Sequence, residues 1–214
     1  MICSLKMGQV PNNDKMFNIV VPTYEGGTKL EVFINCFLSQ SCDDWHLTIV
    51  SDGPEPETLE QLQKYKDCHQ ISYYQTDKRC NDWGHTPREF GMLQSDCEFT
   101  IMTGFDNYYV PLFIEIFKNA YIEKHAENID MMFCNFVLDH PREGIKYNGF
   151  IDSSPDVNFI DIGSFALRTE ILKVVGFKFR SYAADAELVE AAKNYININN
   201  RAILKIPQTL YVHN

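Results

Sequence analysis

No stretch of the 214 residues comes near eighteen consecutive apolar side chains, so a membrane-spanning helix is excluded from the expected elements. The first fifteen residues, MICSLKMGQVPNNDK, lack the apolar central segment of a secretory signal. Cys-x-x-Cys is absent. The seven cysteines (Cys3, Cys36, Cys42, Cys68, Cys80, Cys97 and Cys134) are odd in number, which indicates neither a zinc ribbon nor a fully paired disulfide framework. Several stand inside apolar runs, as reduced core cysteines do, and this implies a reducing, cytoplasmic setting. Basic residues are scarce: 19 Lys and Arg against 29 Asp and Glu leave a formal charge of −10. A broad nucleic-acid face is thereby excluded, whereas a small anionic ligand held by a few local donors and a metal is not. GxGxxG and GxxxxGK[ST] are both missing, which removes the dinucleotide fingerprint and the P-loop. There is no internal repeat and no low-complexity segment.

What is present is an ordinary globular composition, 45% hydrophobic and 22% charged, long enough for one α/β domain with a substantial core. Residues 1–16 read as a loose leader and residues 17–214 as a single domain. Its abrupt end on LYVHN hints at a unit cut from a longer chain. Phe17–Pro22 (FNIVVP) is a short apolar run and reads as a buried first strand. TKLEVFINCFLSQ carries Leu30, Phe33, Ile34, Phe37 and Leu38 at helical spacing, with Thr28 and Glu31 placed for a capping box. HLTIVSDG, ISYYQTD, EFTIMTG and IDMMFCNFVLDH read as further strands. ETLEQLQKY, TPREFGMLQS and VPLFIEIFKNAYIEKH read as the helices between them, the last with Pro111 at about its first position. The alternation βαβαβαβαβ predicts a mostly parallel sheet flanked by helices on both faces. Beyond Asp139 lies a long polar segment, HPREGIKYNGFIDSSPDVNF. DIGSFALRTEILKVVGF then reads as a strand or turn and a helix, YAADAELVEAAKNYI as an amphipathic helix, and RAILKIPQTLYVHN as one or two closing strands.

Parallel sheets bind ligands at the carboxyl ends of their strands, so the strand-end loops hold the candidates. In PTYEGG, Thr23 and Tyr24 can pack against a flat ring and hydrogen-bond it, or simply close a turn. In SDG, Asp52 can accept from a base N–H or a ribose hydroxyl, or serve as a turn aspartate before Gly53. TDKRCNDWGHTPREFG clusters Lys78, Arg79, His85 and Arg88 in an otherwise acidic chain. Arg88 falls in the first turn of a helix, where the dipole disfavours a cation unless an anion is bound; the alternative is a solvated charged loop. In TGFDN, Asp106 is either a helix cap or a metal ligand, and its distance from Pro111 favours the metal.

Taken in chain order, these segments resemble the family 2-like glycosyltransferases of the GT-A fold. The carriers are IVVPTYEGGTKLEVFINCFLSQSCDDWHLTIVSDG, GHTPREFGMLQSDCEFTIMTGFDNYYVP, DIGSFALR and YAADAEL, so the resemblance covers Phe17 to Asn214. Small virus-encoded capsid-sugar transferases fall within its range. It implies a Rossmann-like α/β fold, a nucleotide-sugar donor (commonly a UDP-sugar), Mn²⁺ or Mg²⁺, and a glycan or glycoprotein acceptor. By the same resemblance Pro22, Thr23, Tyr24, Glu25, Asp52, Arg88 and Phe105 hold the nucleotide. Lys78, Arg79, Trp83, Gly84, His85 and Asp161 line the donor sugar and diphosphate. Asp106 matches the last acid of the DXD motif, but Gly104 and Phe105 replace its first two positions. His213 is placed as a second metal ligand, a set suited to Mn²⁺; the alternative is a chain-end histidine with no role. Asp185 matches the general base of inverting relatives, with Glu187 in reserve, although Asp185 also suits a helix N-cap. Two rival readings remain. A nucleotidyltransferase making sugar nucleotides would carry a basic Gly-rich first loop, which PTYEGG is not. A non-catalytic nucleotide-sugar binder is compatible with Gly104.

Overall fold

Every residue of Phe17–Thr23 (β2) and of Trp45–Ser51 (β3) is buried, which is why both read as unbroken apolar runs: their sheet is covered on both sides. A computed structural model describes residues 3–8, 14–124, 127–139, 149–156, 158–178 and 184–214. The other elements are β1 (Cys3–Met7), α1 (Gly27–Leu38), α2 (Pro56–Leu62), β4 (Ile71–Thr76), α3 (His85–Leu93), β5 (Phe99–Met102), β6 (Tyr108–Tyr109) and α4 (Phe113–Glu123). They continue with β7 (Ile129–Leu138), β8 (Phe150–Ile151), β9 (Phe165–Arg168), α5 (Thr169–Val175), α6 (Ala184–Ile198) and β10 (Ala202–His213). The strand order is β1-β4-β3-β2-β5-β9-β7-β10-β6, with β8 on the side of β7. Strands β4-β3-β2-β5 run parallel, as do β7 and β10. The expected mostly parallel sheet is therefore present.

Alternation along the strands splits the core in two. Phe17, Ile19 and Ile101 meet Leu30, Phe33 and Phe37 of α1 and Phe113 and Phe117 of α4. Val20, Met102 and Met131 face the other way, toward Met92 of α3, Leu172 of α5 and Leu188 and Ile196 of α6. On that second side Gly91 lets α3 approach closely. A Cβ there would lie 2.5 Å from Val20 and 3.1 Å from Val50, so only glycine brings the helix, with Arg88 one turn earlier, this near the sheet.

Three local expectations are corrected. Residues 3–7 are not a loose leader but an edge strand, antiparallel to β4; its mixed polarity suits a strand with one covered face. The capping box at Thr28 and Glu31 does not form. The helix starts at Gly27 after Gly26 with no side-chain cap, and Glu31 pairs instead with Lys64. Pro111 precedes α4 rather than opening it. The fifth expected strand, β7, is present and is separated from β5. The four-residue β9 is inserted between them, antiparallel to both. It is anchored by Arg168, which donates to Asp130 (2.8 Å) and Glu98 (3.0 Å), while Arg201 also donates to the buried Asp130. Part of the long segment after Asp139, residues 140–148, lies outside the described residues.

The second face of β3 carries His46, 2% exposed, with Nε2 2.7 Å from Ser72 Oγ. Burial, helped by the charge of Lys15, pushes its pKa down to about 4. The unfolded chain therefore takes up this proton near pH 6.5 and the folded one only near pH 4. Between those limits the imidazole removes about 1.4 kcal/mol of stability per pH unit of acidification. His46→Gln is expected to flatten the fall of melting temperature between pH 6.5 and 4 relative to the parent chain; superimposable pH profiles would show that His46 contributes nothing to acid sensitivity.

Candidate functional site

The carboxyl ends of β2, β3, β4 and β5 open into a first chamber of about 540 Å³. It is lined by Pro22, Thr23 and Tyr24 after β2, Asp52 after β3, Arg79, Asn81 and Trp83 after β4, and Gly104, Phe105 and Asp106 after β5. Asp52 organises this mouth. Its two oxygens accept the Cys80 N–H (2.7 Å) and the Asn81 N–H (3.1 Å), tying the loop after β4 to the end of β3. The Arg79 guanidinium lies 3.5 Å from the centre of the Tyr24 ring, forming a flat cation–π platform. Thr23 Oγ1 is buried and has no hydrogen-bond partner among the described residues. Burial and the neighbouring Asp52 raise the Cys80 thiol to about 12, so this cysteine is no nucleophile.

A second chamber of about 380 Å³ adjoins the first and shares Trp83, Arg88, Gly104 and Asp106 with it. It is completed by His85, Asn107, Asn158, Asp161, Asp185 and His213, among others. Arg88 stands at the junction. It donates to the Thr103 carbonyl through Nε and Nη2 (3.3 Å each) and to the Trp83 carbonyl through Nη1 (2.9 Å). It thus places a buried positive charge between the chambers while clamping two strand-end loops together. Gly84, at φ +80°, makes this clamp possible: a Cβ there would lie 2.7 Å from the Pro22 ring.

The wall of the second chamber is a hydrogen-bonded chain. Tyr109 donates to Thr103 Oγ1 or the Gly163 carbonyl (2.8 Å each), and Tyr211 donates to Asp161 Oδ1 (2.7 Å). Asp161 also accepts the Gly163 N–H (2.9 Å), and its Oδ2 lies 3.2 Å from His213 Nδ1. Burial pushes the Asp161 carboxyl up, yet His213, Tyr211 and the Gly163 amide together hold it below the ordinary aspartate range. His213 thus turns its Nδ1 to a carboxylate, the contact that commonly orients metal-binding histidines.

Asp106 explains the glycine two positions before it. A Cβ at Gly104 would sit 2.7 Å from Asp106 Oδ1, so the carboxylate occupies the space a side chain would take. Among the described residues no three His, Cys, Asp or Glu side chains gather into a metal cage. Asp106 and His213 both line the second chamber.

Asp185 lies in the first turn of α6, inside the helix rather than at its cap. Its Oδ1 is sealed from solvent and lies 3.9 Å from His85 Nδ1, although the side chain as a whole is 39% exposed. Burial raises its carboxyl above the usual range, against the opposing charges of Arg88 and His85.

A family model for glycosyl transferase family 2 matches residues 18–172. The chain belongs to that family. Its mixed, mostly parallel sheet is the family's GT-A fold. No curated protein sequence matches the chain. Among solved structures, TarS residues 1–349 from S. aureus superpose at a TM-score of 0.71 with 20% identity, covering 92% of this chain and 59% of that one. The same protein in complex with UDP-GlcNAc gives 0.72, 20%, 92% and 58%. The mannosyltransferase PcManGT from Pyrobaculum calidifontis, in complex with GDP-Man and Mn²⁺, gives 0.67, 15%, 98% and 60%. The chain thus spans about 60% of the length of these solved chains and 36% of a longer TarS structure.

Within this family 2 chain most sequence candidates converge. Pro22, Thr23, Tyr24, Asp52, Arg79 and Phe105 meet in the first chamber, and His85, Asp161, Asp185 and His213 in the second. Trp83, Gly84, Arg88 and Asp106 stand at or beside the junction. Three candidates are not brought in. Lys78 is exposed and lines neither chamber, as is Glu25, whose N–H is held by Glu55. Glu187 is exposed and lines a separate hollow between α5 and α6. Its spacing of two from Asp185 turns it to a different face of the helix. Sequence reasoning missed Asn81, Tyr109, Gly163 and Tyr211. For Tyr211 a signal existed: it stands two residues before His213 on a strand, hence on the same face.

Gly163 is where the wall is most sensitive. A Cβ there would lie 2.7 Å from the Tyr211 ring and hydroxyl and 2.8 Å from Thr103 Oγ1. Tyr211 is fully buried and cannot swing away. Gly163→Ala is therefore expected to cost about 1–3 kcal/mol in urea unfolding. It should also displace Asp161 from His213 and weaken Mn²⁺-supported nucleotide binding; unchanged stability and binding would refute the packing argument.

Proposed function

We propose that this chain transfers a sugar, a hexose or deoxyhexose, from a nucleotide-diphosphate donor to a hydroxyl of a glycan or glycoconjugate. The observation that carries the reading is the pair of joined chambers meeting at Arg88 and Asp106. One has a flat cationic–aromatic platform and partner-seeking polar groups suited to a nucleoside. The other holds a partly buried carboxylate suited to a base. The UDP and UDP-GlcNAc complexes of the S. aureus neighbour support a UDP-sugar as donor. In this reading the base stacks at Tyr24, and Thr23 and Asp52 accept or donate at its edge or at the ribose. Arg88 supplies fixed positive charge where the diphosphate crosses between chambers.

The Mn²⁺ complex of the mannosyltransferase supports a divalent metal. Asp106 and His213 would hold it, and bound there it would act as a Lewis acid toward the departing diphosphate. Asp161 and Tyr211 keep His213 in one tautomer and orientation. Asp185 takes the proton of the acceptor hydroxyl, its raised pKa making it a stronger base than a solvated aspartate.

A panel of UDP- and GDP-sugars, with and without Mn²⁺, tests the reading by thermal shift and by slow release of nucleotide. The expected result is a rise in melting temperature with one nucleotide class and Mn²⁺, as mass action requires, together with donor hydrolysis. Stabilisation without hydrolysis would instead favour a non-catalytic binder. No stabilisation by any of them would sink both readings.

A further inference from the structure

Trp83 is 61% exposed and stands where both chambers open. Its backbone is left-handed at φ +55°, as is that of Asn81 at φ +55°, followed by Gly84 at φ +80°. For a bulky residue that conformation costs on the order of 1–2 kcal/mol, and an indole left in water recovers little of it by burial. The strain is held from outside. The Arg88 Nη1 grips the Trp83 carbonyl, and Gly84 is wedged against Pro22. Strained residues maintained by their surroundings collect at ligand clamps.

The charge beside this indole restricts what it can meet. The second chamber is lined by three carboxylates, Asp106, Asp161 and Asp185. Among the described residues the facing cationic groups are Arg88, already donating to two backbone carbonyls, and the imidazoles His85 and His213, each set against an aspartate. A bound donor adds its own diphosphate, which a divalent ion at Asp106 and His213 would offset only in part, so Asp161 and Asp185 still leave the site net negative. An acceptor carrying phosphate or carboxylate would enter against like charge at close range in a partly dry site. A flat apolar face with polar edges suits a pyranose ring, whose C–H face packs on an aromatic plane while its hydroxyls reach amides such as Asn158.

We propose that the acceptor is a neutral, uncharged sugar whose ring stacks on Trp83 at the rim of the second chamber, presenting a hydroxyl to Asp185. This rests on the glycosyl-transfer reading and goes beyond it by naming the acceptor class and its platform.

The chain has two tryptophans, and the other, Trp45, is 2% exposed, so emission changes on adding a soluble ligand report Trp83. UDP and Mn²⁺ are added to plateau. Lactose, maltose and diacetylchitobiose are then titrated against sialyllactose and a short glycerol-phosphate oligomer. At least one neutral sugar is expected to quench or blue-shift the emission, with the anionic probes binding about tenfold or more weaker. Trp83→Leu should weaken binding of that neutral sugar about tenfold by calorimetry, and Trp83→Phe should restore most of it. Equal or tighter binding of the anionic probes, silence of every neutral sugar, or a leucine variant of unchanged affinity would each overturn the proposal. Absence of any response to UDP with Mn²⁺ is a failure of the transfer reading instead, and the same sugar titration without nucleotide still decides the role of Trp83.

Discussion

Asp185→Asn is expected to lose sugar transfer by about 10²–10⁴-fold while binding the donor as the parent chain does. The argument begins with the geometry. Asp185 enters the second chamber from the first turn of α6, with one oxygen sealed near His85 and the remainder of the side chain open to an incoming hydroxyl. It stands away from the nucleoside chamber, so an isosteric amide leaves donor contacts intact and removes only the proton acceptor. Two further readings distinguish catalysis from scaffolding. In the parent chain kcat should rise with pH through the raised pKa of this carboxyl, and the asparagine variant should lose that limb.

The same shift fixes the sign of a stability change. A carboxyl whose pKa is raised on folding contributes stability below its unfolded value, and that contribution is lost as pH rises through the folded value. At neutral pH the amide should therefore melt higher than the carboxylate. More stable and inactive is the combination expected of a base held under strain. Full turnover in the variant would remove Asp185 from the chemistry; lost donor affinity would reassign it to binding.

Asp106→Ala should abolish the Mn²⁺-dependent part of donor binding, a loss on the order of 100-fold, measured by calorimetry with and without metal. Only His213 would remain to hold the ion, because no third metal-binding side chain joins these two among the described residues. The metal-independent part, from Tyr24, Asp52 and Arg88, should survive. Gly104→Asp is the instructive companion. It restores the first acid of a DXD motif in sequence, yet its Cβ would fall 2.7 Å from Asp106 Oδ1 and drive that carboxylate out of place. Metal-supported binding should weaken rather than improve. Unchanged Mn²⁺ dependence in the alanine variant would exclude Asp106 as a ligand, and tighter binding in Gly104→Asp would show that the motif is incomplete for another reason.

How far the sequence carried depends on whether each signal is local. The strands β2, β3 and β4 were legible because buried parallel strands are continuous apolar runs, and the chambers followed from their carboxyl ends. The insertion of β9 was not legible. FALR is four residues long, and its antiparallel place between β5 and β7 is decided by partners far along the chain. The capping-box error had a local cause: Gly26 and Gly27 let the helix begin before Thr28 reached the cap position. At the site, Asp106 and His213, which both line the second chamber, were singled out by resemblance to known motifs. The link that orients His213 was not, since Asp161, Tyr211 and Gly163 meet only once β10 has entered the sheet.

That late strand bears on where this domain can be cut. The segment matched by the family model ends at residue 172, whereas β10 starts at Ala202 and fills the gap between β7 and β6. A chain trimmed to the matched segment would leave Ile129–Leu138, buried along nearly its whole length, with one row of backbone donors and acceptors unpaired. Such an edge is long, apolar and open to pairing with another molecule's strand. A trimmed chain is thus expected to aggregate, because it lacks the strand that covers this edge of β7 and also carries His213.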